Sequence, residues 1–350
     1  MKTSWHCDLG ILICVHCFFL NGGAVSFSSF LAQALASVVM CVASLQVAIA
    51  QTYPSQPIKI VVPFAVGGGV DILTRVFSER IAKELEQTIV VENRLGAGGN
   101  LGTDYVAKAK PDGYTLLMAT TGTHAINPLL YPSLPFNAQD DFTPISLIAA
   151  VPNVLVVGPR FPVKTLKELI EAIRMAPGKR SYASFGNGTS NHLSGELLRL
   201  MANLDVVHVP YKSATQAVTD LLGGQIDFAF INIPLALPHV SAGKLHALAV
   251  TSASPIVSLP DVPTMAQAGL EGFVVESWYG LMAPKGLAPS TIGLLERRTA
   301  QALLDPKVLA VFSKNGAEVR SSTGKDLAAL VQEERARWAD VIRRANVKID

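Results

Sequence analysis

The chain is 350 residues long, 49% hydrophobic and 16% charged, which supplies a large core and excludes a disordered polymer. Its 29 basic and 27 acidic residues leave a formal net charge of +2 and lie scattered along the chain, so the basic stripe needed for nucleic-acid binding is missing and no nucleic-acid partner is expected. All four cysteines, Cys7, Cys14, Cys17 and Cys41, fall in the first fifty residues, which leaves residues 51–350 without disulfides or a thiol nucleophile.

Residues 1–50 read as an export leader. The stretch FLAQALASVVMCVASLQVAI, Phe30 to Ile49, has the character of a secretory apolar core, and Ala48-Ile49-Ala50 gives the small-x-small pattern before a cleavage point, so the chain is expected to be exported and its mature form to start near Gln51. The rival reading is a retained anchor, since twenty apolar residues suffice to span a bilayer. Cys14-x-x-Cys17 has no second pair and no carboxylate beside it, so it is not read as a metal or redox site.

From Tyr53 on, strand-like and helix-like segments alternate, the pattern of a wound α/β protein. Strands are expected at Ile58–Val62, Thr115–Ala119, Val154–Val157, Tyr182–Phe185, Val206–Val209, Ile226–Ile231 and Leu245–Val250. Leu73, Val76, Phe77, Ile81 and Leu85 form one helical stripe, and Leu166, Leu169, Ile170 and Ile173 another. Thr165 with Glu168 and Thr323 with Asp326 are capping-box candidates.

Two extended apolar segments, Ile145–Gly158 and Phe273–Pro284, enclose a block that itself alternates strand and helix. A chain that leaves one lobe, builds a second and returns gives lobe 1 from residues 51–152 plus 277–350, lobe 2 from residues 153–276, two crossover strands and a cleft between. The last three helices, Ser290–Leu304, Pro306–Lys314 and Lys325–Ala345, are expected to pack back on lobe 1.

Strand ends that run into helix starts are where open α/β sheets bind ligands, and each helix start offers unpaired N–H groups to an anion. The run PFAVGGGVD, with Gly67, Gly68, Gly69 and Asp71, lets the backbone approach such a ligand closely. Phosphate is a poor fit: no Walker loop is present, and the dinucleotide spacing fails at Ile72 and at Leu101. Carboxylate fits better. Four further loops supply Thr120, Thr121, His124, Asn187, Thr189, Ser190, Tyr211, Lys212 and Asn232, mostly neutral hydrogen-bonding groups suited to an oxygen-rich solute.

A catalytic reading has less behind it. The chain has no Gly-x-Ser-x-Gly elbow, no His-Glu-x-x-His and no zinc-like cluster; His192 and Glu196, four apart, are too common a pair to define a metal site. No catalytic residue, metal or cofactor is therefore expected.

The strings YPSQPIKIVVPFAVGGGVDILTRVFSERI, VVENRLGAGGNLGTDYVAKAKPDGYTLLMATTGTHAINPLLY, SYASFGNGTSNHLSGELL, VHVPYKSATQAVTDLLGGQIDFAFIN and SWYGLMAPKG, in this order, closely resemble the Bug (TctC-like) extracytoplasmic solute receptors, the binding components of tripartite tricarboxylate transporters. The resemblance covers Tyr53 to Asp350. It implies a two-lobed periplasmic binding protein, type II-like, which closes on a di- or tricarboxylate, an acidic amino acid or an aromatic acid and delivers it, as a monomer, to membrane transporter subunits. It further implies that the loops Phe64 to Asp71, including Val66, and Ser184 to Thr189, including Gly188, hold the ligand carboxylate and that Asn232 faces the cleft. Two departures stand out: Ala65 and Val66 where many relatives carry prolines, and a long leader. A periplasmic sensor and, further off, a carboxylate-processing enzyme are the alternatives.

Overall fold

The computed structural model describes residues 53–347; the leader, its cleavage point and the four cysteines lie outside the described residues. β1 (Ile58–Val62) is buried throughout except at Lys59 and runs into α1 (Gly69–Glu84), whose stripe Leu73, Phe77 and Ile81 packs onto the sheet as its period dictates. β2 (Ile89–Asn93), α2 (Asn100–Ala107) and β3 (Thr115–Thr120) follow, with β1 pairing in parallel to both β2 and β3. β2, a half-exposed edge strand with the sequence IVVEN, is absent from the expected strands. A π-helical turn, Gly122–Ile126, and the short α3 (Asn127–Leu130) lead to β4 (Phe142–Val157).

β4 is one continuous strand of 16 residues, where the sequence suggested a crossing segment ending in a short strand. After it come α4 (Leu166–Arg174), β5 (Ser181–Ser184), α5 (Ser190–Ala202), β6 (Val207–Pro210), α6 (Ala214–Gly223), β7 (Phe228–Asn232), α7 (Ile233–Ser241) and β8 (His246–Val250). β9 (Glu276–Pro284) returns beside β4, and α8 (Pro289–Leu303), α9 (Pro306–Lys314), β10 (Glu318–Val319) and α10 (Gly324–Ala345) complete the chain. The mixed sheet runs β2-β1-β3-β9-β4-β7-β5-β6, with β8 and β10 also on β4.

Pairing register explains why a cleft forms. Thr120, the last residue of β3, lies opposite Tyr279 of β9, and Tyr279 lies opposite Ala149 of β4. Asn232, the last residue of β7, lies opposite Asn153 of β4. β3 and β7 run antiparallel to each other through this chain of pairings, so the carboxyl ends of the two parallel strand sets point at one another from positions four residues apart on β4, roughly 13 Å. Every helix that follows those strands therefore begins facing the same gap.

α8 and α9 pack on the first strand set, burying Leu295, Leu303, Val308 and Phe312 against Ile60, Phe77 and Ile81. α10 does more than the sequence suggested. Its Leu327 and Val331 join the cluster around Trp278 and Met282, while Trp338 is buried with Tyr182, Leu193, Phe228 and Phe273 of the second half. At 22 residues the helix is about 33 Å long and reaches across both halves. It starts from the full capping box of Thr323 and Asp326, whereas at α4 only the Thr165 hydroxyl caps, Glu168 reaching back to the Lys164 N–H instead.

Trp338 is fully buried, and its indole N–H donates to Glu334 at 3.0 Å. Trp338→Ala is expected to cost about 3–5 kcal/mol of unfolding free energy in chemical denaturation. Met175→Ala, at a side chain 84% exposed, should change it by less than about 0.5 kcal/mol. Equal effects at the two positions would contradict the role given to α10.

Candidate functional site

A cavity lies in the gap between the opposed strand ends. On one wall stand Gly68, Gly69 and Val70 at the start of α1, with Phe64 and Ala65 before them. Thr120 and Gly122 close it along β3, and Ser277 and Tyr279 form its floor on β9. The other half brings Thr189, Ser190 and Asn191 at the start of α5, Asn232 before α7, and Phe185, Lys212 and Ala214. The space in the cavity open to water centres is about 50 Å3, room for a few waters or a small anionic group.

The start of α1 carries no side-chain cap. The Gly68 N–H turns back to the Ala65 carbonyl at 3.3 Å, leaving the N–H groups of Gly69 and Val70 without an intrahelical partner. Gly69 must be glycine for a steric reason: a Cβ there would stand 2.9 Å from the Asn232 Cβ and 3.4 Å from the Tyr279 hydroxyl. Two helix starts thus meet almost in contact. Tyr279 is buried and its hydroxyl has no partner, an expensive state unless something polar occupies the cavity. Burial raises its pKa, so it stays a donor.

Asp71 does not line the cavity; it shapes the loop that does. Its carboxylate accepts from the Gly67 N–H (2.9 Å), Arg75 Nε (3.1 Å) and Asn93 Nδ2 (2.9 Å), and Asn93 Nδ2 also donates to the Phe64 carbonyl at 3.0 Å. Burial works against the ionised form, but the hydrogen bonds from Arg75, Gly67 and Asn93 outweigh it and the pKa falls below the usual value. Gly67 takes a φ of +78° to make this turn, and Val66, at its tip, is 62% exposed.

A buried network ties the second half's helix starts to β4. Asn153 Oδ1 accepts from Asn232 Nδ2 (2.8 Å) and Asn191 Nδ2 (3.1 Å), while Asn153 Nδ2 donates to Ser194 Oγ (3.1 Å). Thr189 caps α5 by accepting from the His192 N–H at 3.3 Å and donates to the Gly186 carbonyl at 2.8 Å. The N–H groups of Ser190 and Asn191 remain at the cavity wall without a capping side chain.

Of the residues singled out from the sequence, Phe64, Gly68, Gly69, Thr189 and Asn232 come together around the cavity, with Thr120, Ser190 and Lys212. Others are turned to different tasks. Thr121 Oγ1 accepts the Trp278 N–H at 2.8 Å and fastens β3 to β9. His124 is fully buried, with Nδ1 2.9 Å from Thr123 Oγ1 and its ring edge-on to Phe142. Ser184 Oγ sits 2.6 Å from His208 Nε2 beneath the loop. Asn187 and Gly188 are on the loop that touches the first half: the Asn187 carbonyl meets Tyr131, and a Cβ on Gly188 would strike Asn127 Oδ1. Tyr211 is not in the lining; its hydroxyl donates to Asp220 at 2.8 Å, and burial together with that bond pushes its pKa up to about 12.

Val70, Gly122, Phe185, Asn191, Ala214, Ser277 and Tyr279 line the cavity without having been singled out. For Ser277 and Tyr279 a signal was available, since residues two apart on a strand share a face. Among the described residues no group of three or more His, Cys, Asp or Glu side chains is gathered that could hold a metal ion, and no helix is long and apolar enough to cross a membrane.

These features, opposed α/β halves with uncapped helix starts converging on a small cavity, define a solute-binding protein. The family described as "Tripartite tricarboxylate transporter family receptor" matches residues 73–347, and the chain belongs to that family. It is 38% identical over 301 residues to Protein BugT of Bordetella pertussis, covering 86% of this chain and 92% of that protein. Its fold matches the periplasmic binding protein BugD with a TM-score of 0.81 at 36% identity, over 85% of this chain and 99% of that one. It also matches MatC of Rhodopseudomonas palustris with bound malate, TM-score 0.79 at 35% identity, over 83% and 100% of the two chains.

Two buried histidines, His124 and His192, and the part-buried His208 give the fold a pH signature. Burial pushes His124 down to about 3, with Arg335 adding to it; burial and Arg199 push His192 to about 4; burial and the neighbouring His192 push His208 to about 3. His192 and His208 stack at 4.1 Å, and His192 Nδ1 accepts the Gly188 N–H at 3.3 Å. In the unfolded chain each titrates near 6.5, so below that pH the unfolded state binds protons that the folded state refuses, and stability falls as pH drops. The unfolding midpoint should decline from pH 7 to pH 5, and His208→Gln should make that decline shallower. An unchanged slope in the variant would contradict the assignment.

Proposed function

We propose that this chain is a periplasmic receptor that captures a small carboxylate for a tripartite tricarboxylate transporter. The observation that carries the reading is the meeting of the uncapped α1 start with the partnerless Tyr279 hydroxyl inside one cavity. The N–H groups of Gly69, Val70, Ser190 and Asn191 are donors without acceptors there, and a carboxylate supplies acceptor lone pairs with a charge that helix starts favour. Each charge-assisted hydrogen bond contributes about 1.5–3 kcal/mol, so a few reach roughly micromolar affinity without a buried arginine.

Phe64, Gly68, Gly69, Thr189 and Asn232 are the contact residues in this reading. Asp71, Gly67, Ser184 and Gly188 hold the loops in shape, and Thr121 and His124 support them from below. Residues 51–152 with 277–350 form one lobe and residues 153–276 the other. The ligand touches both, so it binds the closed form better and shifts the population toward it. The closed form is what the membrane subunits recognise. Residues 1–50 direct export and are removed near Ala50, and the mature receptor is a monomer that releases its ligand unchanged. Malate bound to MatC supports the class of ligand.

Calorimetry of the purified protein against four- to six-carbon carboxylates tests this. Micromolar binding to at least one, with the ligand recovered intact, is the expected result. No binding to any carboxylate, or conversion of a bound one, would overturn it.

A further inference from the structure

The cavity has a second electropositive end that the carboxylate pole does not use. Lys212 is the charged side chain in its lining, and it takes part in no ion pair among the described residues. Its placement follows from its neighbours. Tyr211 N–H donates to the Ser184 carbonyl at 3.0 Å and its hydroxyl donates to Asp220 at 2.8 Å. Lys212 follows directly, two residues past the end of β6, and reaches the cavity from this loop.

The same end holds a second uncapped helix. α6 begins at Ala214, which lines the cavity, and its N-cap residue Ser213 makes no side-chain cap bond. Strand order sets the separation: β7, which ends at Asn232, is two strands from β6, which runs into Lys212, about 10 Å at the usual inter-strand spacing. Asn232 in turn stands against Gly69. The cavity is thus bounded by a neutral, hydrogen-bonding pole at Gly69, Tyr279 and Asn232 and by a cationic pole at Lys212 and the α6 start. The aromatic ring of Phe185 completes the lining on the Lys212 side.

We propose that Lys212 is the specificity-determining residue of this receptor, selecting solutes that carry a second negative charge at the end remote from the Gly69 pole. The inference rests on the carboxylate-receptor reading and adds which residue reads the second charge. A lysine is a point charge on a flexible stem, so it accepts anionic ends at several distances and discriminates by charge more than by length. Because Lys212 is exposed at the cavity's mouth, its attraction is screened by salt.

The test is calorimetry with unbranched α,ω-diacids of four to six carbons and their mono-amides, against the wild type, Lys212→Gln and Lys212→Arg. The wild type should prefer a diacid over its mono-amide by at least about tenfold, less so at 0.5 M NaCl than at 0.05 M. Lys212→Gln should erase the preference by weakening the diacid alone, and Lys212→Arg should restore most of it. Equal affinity for diacid and mono-amide in the wild type, or a preference that survives in Lys212→Gln, overturns the role of Lys212 while leaving carboxylate binding intact. Failure of the wild type to bind any member of either series overturns the diacid selection assigned to Lys212, whereas the receptor reading falls only if no carboxylate of any kind binds.

Discussion

The register of β4 is the constraint on which the site depends. Because β3 ends level with Ala149 and β7 ends level with Asn153, two sets of parallel strands stop just short of each other on a shared strand and their following helices start face to face. Unpaired N–H groups at a helix start ordinarily find water or a capping hydroxyl. Here α1, α6 and α7 have no side-chain cap, and α1 and α7 are brought so close that Gly69 has no room for a methyl group against Asn232. Donors gathered in that way form an anion site before any cationic side chain is added.

The surrounding side chains divide between holding this arrangement and facing the ligand. Asp71 spends its charge on Arg75, Asn93 and the Gly67 N–H, which fixes the loop without placing a carboxylate in an anion's way. Asn153 does the same for the other half, using its amide to hold Asn191 and Asn232. The Asn153 network is buried, so removing one partner leaves others unsatisfied and the geometry is kept by that cost, whereas the Asp71 network is part-buried with Arg75 reaching solvent. α10, packed on both halves, adds a third tie beside β4 and β9.

Much of the fold was legible in the sequence, and the reasons are particular. Seven strands were readable, most of them from Val, Ile and Leu runs and β5 from its place in the alternation of strands and helices, and the turn of Gly67 to Gly69 from its glycines. β2 escaped although its Ile89-Val90-Val91 run was readable as an edge strand, and α10's second contact because a stripe ending in Trp338 does not say which half it covers. In the site, backbone-led positions such as Gly68, Gly69 and Asn232 followed from where strands run into helices. The side chains were less readable: Thr121, His124, Ser184 and Tyr211 carry suitable groups but are committed to Trp278, Thr123, His208 and Asp220. Donor type can be read from a letter, whereas whether the donor is already engaged depends on tertiary partners. Tyr279 is the converse case, a hydroxyl hidden in an apolar strand and left free.

The most direct measurement is a crystal structure of the protein saturated with a bound carboxylate. The account predicts carboxylate oxygens about 2.7–3.2 Å from the N–H groups of Gly69 and Val70 and from the Tyr279 hydroxyl, with the second half closed over them. A carboxylate seated away from the α1 start, with those donors still unmet, would contradict it.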